Sequence, residues 1–253
     1  MPDNAAHSQR RSRRFARTVT VDGIERSYQC SVPVYLCEDA GVDPAEPVPL
    51  ILAIHGKGDN GLDFLIGTNL GTADAIVAAP TGQGLAWSPA PYAVTTIEED
   101  TALIDAIVAD ITSTYPVDRD RIYLAGFSNG GGFVVELAVN APERYAGVAT
   151  VAGAIRTDID TIESGRPLDY LNIHGTWDDV VPYAGQDRGS LGLIRPATEI
   201  TDAFRQRNGA QARTEHIPVE GMSHEWPAGV WAQNRGIDVT ETILGFFGVG
   251  TLE

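Results

Sequence analysis

Arg121-Ile122-Tyr123-Leu124-Ala125-Gly126-Phe127-Ser128-Asn129-Gly130-Gly131-Gly132 is the stretch from which the rest of the chain can be read. Ile122 to Ala125 is apolar and aromatic, which suits a short buried strand, and an apolar helical run begins at Phe133. Between them, Gly126 to Gly130 follows the pattern G-x-S-x-G. A strand, a sharp turn bearing serine and a helix form an elbow that lifts the hydroxyl above the sheet edge. Glycines two residues either side of Ser128 remove the Cβ atoms that would collide where the chain doubles back. The serine is then expected in a strained backbone conformation. In a chain with 27 glycines the five letters alone are weak, so the flanking strand and helix carry the reading.

Working outward, Thr18–Val21 and Arg26–Leu36 alternate around Asp22-Gly23, which predicts an antiparallel hairpin. Glu38–Pro49, with three prolines and four acids, reads as a loop. Leu50–Ile54, Ala75–Ala79, Tyr145–Ala152, Asp169–Ile173 and Gln211–Val219 read as further strands. Thr96–Tyr115 carries acids in its first turn and apolar residues at helical spacing (Leu103, Ile104, Ile107, Val108, Ile111). Helices are also expected up to Asn140, over Pro196–Asn208 with Gly209 beyond its end, and over Val239–Phe247. Strands alternating with helices predict an α/β class: a mostly parallel, doubly wound sheet with an N-terminal antiparallel hairpin. About sixteen residues separate the strands near Ala152 and Asp169, too few for a lid domain, so an open site is expected.

The chain has 253 residues and a net charge of -16, which argues against a nucleic-acid partner, whose phosphates would be repelled. Lys57 is the only lysine. Salt adaptation and a high-GC genome would each give this acidic, arginine-biased composition. Arg10, Arg11, Arg13, Arg14 and Arg17 face only Asp3 in the first seventeen residues, a net +4 that leaves -20 for the remainder. Residues 1–17 are therefore expected to form a disordered basic arm, and residues 18–253 a single domain. No apolar segment follows Arg13-Arg14 to make an export signal, and no run is long enough to cross a membrane. The expectation is a cytoplasmic protein, or one released without a recognisable signal peptide. Cys30 and Cys37, on one extended segment, would stand about 23 Å apart, too far for a disulfide. No Cys/His cluster suggests a metal, and no cofactor is expected.

A serine hydroxyl becomes a useful nucleophile when an imidazole accepts its proton, and an acid must hold that imidazole in the right tautomer. Downstream of Ser128, Asp178 and Asp179 both follow the Asp169–Ile173 strand, and spacing leaves either as the acid. His224 follows the last strand and precedes the last helix, where the base belongs. His55 and His174 precede glycines at strand ends and read as structural; His216 lies within a strand and His7 in the arm. Charge on the attacked carbonyl needs backbone N–H donors, each worth about 3 kcal/mol of barrier. Asn129 N–H and Lys57 N–H are the candidates. Trp87, Trp177 and Trp226 sit on loops expected to converge on the site, as candidate substrate contacts.

Several segments in family order resemble the poly(3-hydroxybutyrate) depolymerase-like esterases of the α/β-hydrolase superfamily, and the related feruloyl and acetyl xylan esterases. They are Leu52-Ala53-Ile54-His55-Gly56, Tyr115 to Tyr123, Gly126 to Gly131, His174-Gly175-Thr176-Trp177-Asp178 with Val181-Pro182-Tyr183, and Ser223 to Pro227. The resemblance spans residues 50 to 230. Its H-G-T-x-D motif implies Asp178 rather than Asp179 as the acid, and its His-x-Trp-Pro motif implies His224 as the base. Trp177 stands where the family usually has a small residue, which implies a narrowed or partly covered acyl pocket. The secreted members' signal peptides, disulfides and binding modules have no counterpart here.

The expected function is a serine carboxylic-ester hydrolase working through an acyl-enzyme on hydroxyalkanoate, feruloyl or acetyl, or aromatic polyester-type esters. An acyltransferase using the same residues, or an inactive α/β-hydrolase-fold binding module, are the alternatives. The expected partner is a small ester or a polymer end.

Overall fold

The computed structural model describes residues 11–37, 46–187 and 189–252. Period-two alternation builds the first strand pair. β1 (Ser12–Val21) and β2 (Ile24–Pro33) run antiparallel around Asp22-Gly23, whose φ values of 50° and 79° suit a tight hairpin. The arm expected over residues 1–17 therefore gives way to a strand from Ser12 onward; residues 1–10 lie outside the described residues. Alternation explains the difference, because Phe15, Arg17, Val19 and Val21 share the inward side. Arg17 is an anchor there. Its Nε and Nη2 donate to Asp110 at 2.7 and 2.9 Å, and the Tyr28 hydroxyl donates to the same carboxylate at 2.6 Å.

The expected 38–49 loop falls mostly outside the described residues, and its end already belongs to β3 (Val48–Ile54). β4 (Ile76–Pro80), β5 (Val117–Phe127), β6 (Gly147–Val151) and β7 (Asp169–Gly175) follow. A two-residue pair, β8 (Gln186–Asp187) and β9 (Leu193–Ile194), precedes β10 (Thr214–Val219). One eight-stranded sheet has the order β1-β2-β4-β3-β5-β6-β7-β10, parallel from β4 to β10. The helices are α1 (Gly61–Gly67), α2 (Ile97–Thr114), α3 (Asn129–Asn140), α4 (Ile159–Glu163), α5 (Ala197–Asn208) and α6 (Val239–Phe247). Thr96 caps α2 by a reciprocal pair with Glu99. α1 and α4 go beyond the sequence reading, and α3 starts at Asn129 rather than Phe133.

β3 is buried along its whole length, and its alternate residues serve two cores. Leu50, Leu52 and Ile54 pack with Leu103 and Ile107 of α2, Phe133 of α3 and Phe204 of α5. Ile51 and Ala53 pack on the other face with Phe64 and Leu65 of α1 and with Ile243 and Phe247 of α6. Each such Leu or Ile contributes about 2 kcal/mol. Strand order reverses at β3, with β4 on one side and β5 on the other, so the loops leaving β3 and β5 part and leave a crevice at their carboxyl ends. Among the described residues, no helix is long and apolar enough to cross a membrane.

The Arg17 guanidinium holds the Asp110 carboxyl below its usual range, against the upward push of burial. This stabilisation is present at neutral pH and is lost as pH falls through the lowered value. Asp110→Ala is expected to cost about 1–3 kcal/mol in urea unfolding at pH 7. An unchanged unfolding midpoint would show that β1 is not anchored by this carboxylate.

Candidate active site

Ser128 occupies φ 53°, ψ −118°, a region that only glycine visits without strain. The surroundings over-determine it. Its N–H donates to the Val151 carbonyl at 3.0 Å, and its carbonyl accepts from Gly132 at 3.2 Å and Ala154 at 2.8 Å. A Cβ on Gly126 would strike the Gly130 carbonyl, and one on Gly130 would overlap the Ile54 carbonyl of β3. Both flanking glycines are thus required for the helix to return so close to the sheet.

Asn129 opens α3, so its backbone N–H has no partner within the helix. Its side chain turns the other way: the amide oxygen accepts from Trp87 N–H at 2.8 Å and the amide nitrogen donates to the Trp87 carbonyl at 2.9 Å. The Trp87 indole is completely buried, stacks on Phe133 at 5.1 Å and donates to the His55 carbonyl at 3.0 Å. This corrects the expected role of Trp87 as a substrate contact, because the loop folds its ring inward to fill the space beneath α3. Gly56 passes beside the serine, since a Cβ there would lie 3.3 Å from Ser128 Cβ, and this brings the backbone of Lys57 to the same edge. His55 is buried, with Nδ1 2.6 Å from the Gly56 carbonyl and Nε2 accepting from Gly82 N–H at 3.0 Å. Burial lowers its pKa, which suits a neutral, structural imidazole.

Asp178, on the loop after β7, is held from both oxygens. Oδ1 accepts from Val180 N–H at 2.9 Å and Val181 N–H at 2.7 Å, while Oδ2 lies 2.8 Å from His224 Nδ1. Asp179 is exposed, so the pairing falls on Asp178. Burial pushes the Asp178 pKa up, but hydrogen bonds from His174, His224 and the Val181 N–H together hold it well below the usual carboxylate range. His174 Nε2 is 2.8 Å from the Val181 carbonyl and 3.4 Å from Asp178 Oδ2, so that nitrogen carries a proton. His174 is structural as expected, and its work is to steady the acid. The signal for it is its position four residues before Asp178.

His224 sits half-buried between β10 and α6. With Nδ1–H given to Asp178, the Nε2 lone pair is left available. The Phe127 ring supports the imidazole at 4.8 Å, and Trp226 supports Phe127 edge-on at 6.3 Å. Trp226 packs on Phe64 and donates its indole N–H to Thr240 at 2.9 Å, so it braces the His224 loop. Phe127, the residue before Ser128, thus packs on His224, and no hydrogen bond joins the serine to the imidazole, a looseness common before a substrate draws such groups together. Trp177 is 71% exposed, so its ring does not seal the site. A concavity of about 640 Å³ lined by Phe15, Arg17, Leu36 and Tyr115 lies beside the start of β5, at the other end of the strands, and holds none of these groups.

The phospholipase/carboxylesterase family model matches residues 90–201. The chain is 28% identical to NocK, named as an esterase, of Nocardia uniformis subsp. tsuyamanensis, over 91% of this chain and 81% of that protein. It is 28% identical to feruloyl esterase C of Emericella nidulans, over 72% of this chain and 63% of that one. For the poly(3-hydroxybutyrate) depolymerase of Ralstonia pickettii the identity is 25%, over 76% and 51%. The chain thus spans less than two thirds of the length of those last two relatives. A solved ferulic acid esterase structure superposes with a TM-score of 0.65 at 14% identity, covering 94% of this chain and 97% of that one. The chain has the α/β-hydrolase fold and resembles feruloyl esterases and a poly(3-hydroxybutyrate) depolymerase.

Proposed function

We propose that the protein is a serine carboxylesterase with Ser128 as nucleophile, His224 as base and Asp178 as its orienting acid. The observation that carries this reading is the 2.8 Å pairing of His224 Nδ1 with Asp178, set beside a serine in a strained turn. The esterase names of the relatives support it. Ser128 Oγ attacks the ester carbonyl as His224 Nε2 takes its proton. The oxyanion is met by the N–H groups of Asn129 and Lys57. Collapse expels the alcohol, which takes the proton from His224, and water attacks the acyl-enzyme by the same route. Candidate substrates are hydroxyalkanoate, feruloyl or acetyl, and aromatic polyester-type esters, with the exposed Trp177 as a rim contact.

Ser128→Ala is expected to lower kcat on p-nitrophenyl acetate or butyrate by about a thousandfold or more; retained turnover would remove the serine from its role. Asp178→Asn should also lose at least about a hundredfold, because an amide does not stabilise the imidazolium. In the wild type, Asp178, held low by its donors, should stay ionised across the acid side of the kcat/KM profile. Products resolved with an added alcohol separate hydrolysis from acyl transfer.

A further inference from the structure

Three loops surround Ser128, and two of them bring a cation to one ring. The loop after β3 carries Lys57, one residue beyond the Gly56 that packs on Ser128. The loop after β6 carries Arg156, two residues beyond the Ala154 that donates to the Ser128 carbonyl. The loop after β4 carries Tyr92 and is fixed to the site by the Asn129 amide at Trp87 and by Asp100, whose Oδ2 accepts from Ser88 N–H at 2.8 Å. Lys57 Nζ lies 4.2 Å from the centre of the half-buried Tyr92 ring, and Arg156 Cζ lies 5.8 Å from it. Among the described residues, neither cation has a carboxylate within ion-pair distance, although the chain carries 34 acids against 18 lysines and arginines. Arg156 spends Nη1 on the Ala154 carbonyl at 2.9 Å, and its buried Nε has no hydrogen-bond partner. The sole lysine of an acidic chain is thus placed with an unpaired arginine at the edge of the candidate nucleophile.

Resting on the serine-esterase reading, we propose that this site selects esters bearing a carboxylate, with Lys57 and Arg156 binding the anion over Tyr92. A field of net -16 repels such substrates in bulk solvent, so local cations at the mouth are what would let them dock. The anion can belong to the acyl part, as in a dicarboxylic monoester, or to the alcohol part, as in a hydroxy-acid ester.

The test is the ratio of kcat/KM for a charged ester over its neutral match. Mono-4-nitrophenyl glutarate against 4-nitrophenyl valerate places the carboxylate on the acyl side. 4-Acetoxybenzoate against its methyl ester places it on the alcohol side. In the wild type at low salt, one pair should favour the charged ester, and the favoured pair identifies the side. Arg156→Met and Lys57→Met should each lower that ratio by about tenfold, and Arg156→Glu further. No preference in either pair, or a preference that survives both substitutions, overturns the proposal. If neutral esters are not turned over, the serine reading fails separately. Calorimetry then reads the anion site directly: benzoate should bind the Ser128→Ala protein and lose that binding with Arg156→Met, while benzyl alcohol should not bind. Absence of saturable benzoate binding overturns the proposal without reference to catalysis.

Discussion

The structure depends on how closely the turn after β5 approaches β3. Gly130 lies where any Cβ would overlap the Ile54 carbonyl, and Gly126 lies where one would strike Gly130 itself. That contact lets α3 begin with only Ser128 between it and the end of the strand, and it forces Ser128 to φ 53°. The strain is met by three backbone hydrogen bonds tying Ser128 to β6, its exit loop and α3. The same approach aims the orphan N–H groups of the α3 terminus at the hydroxyl's side of the sheet. A single packing constraint therefore sets the position of the serine, its strain and the nearby donors.

A second layer fixes the acid and imidazole. Asp178 is held by two backbone N–H groups on one oxygen and by His224 on the other, with His174 close by. Its depressed pKa follows from that set of donors, which outweighs burial. His224 is placed by chemistry on one side and by aromatic packing on the other, through Phe127, Trp226 and Phe64. Rigid supports of this kind matter because misplacing a base by about an ångström costs far more than losing a surface contact.

Much of this was legible in local pattern. The Val239–Phe247 helix, the central strands and the Asp22-Gly23 hairpin follow from periodicity and turn chemistry, and these signals are local. Ser128, Asp178 and His224 stand out as candidates because each follows a strand, where position along the chain approximates position in space. The failures are tertiary. Net charge pointed to an arm at residues 1–17, but Arg17 finds Asp110 across 93 residues. Trp87 lay on a loop and so read as a rim residue, whereas its ring turns under α3 to stack on Phe133. Tyr92 and Arg156 gave no sequence signal, since their meeting depends on how two loops from different strands fold over one edge. The short helix α1 was missed because it ends in glycine after two turns, although Asn60 caps it well.

The central claim is that the elbow makes Ser128 chemically distinct from every other serine of the chain. Labelling with a fluorophosphonate probe, followed by mass mapping of the modified peptide, tests it most directly. One adduct per chain is expected, on Ser128, lost when Gly130 is replaced by valine in a protein that still folds. Modification spread over several serines, or confined to one other than Ser128, would contradict it.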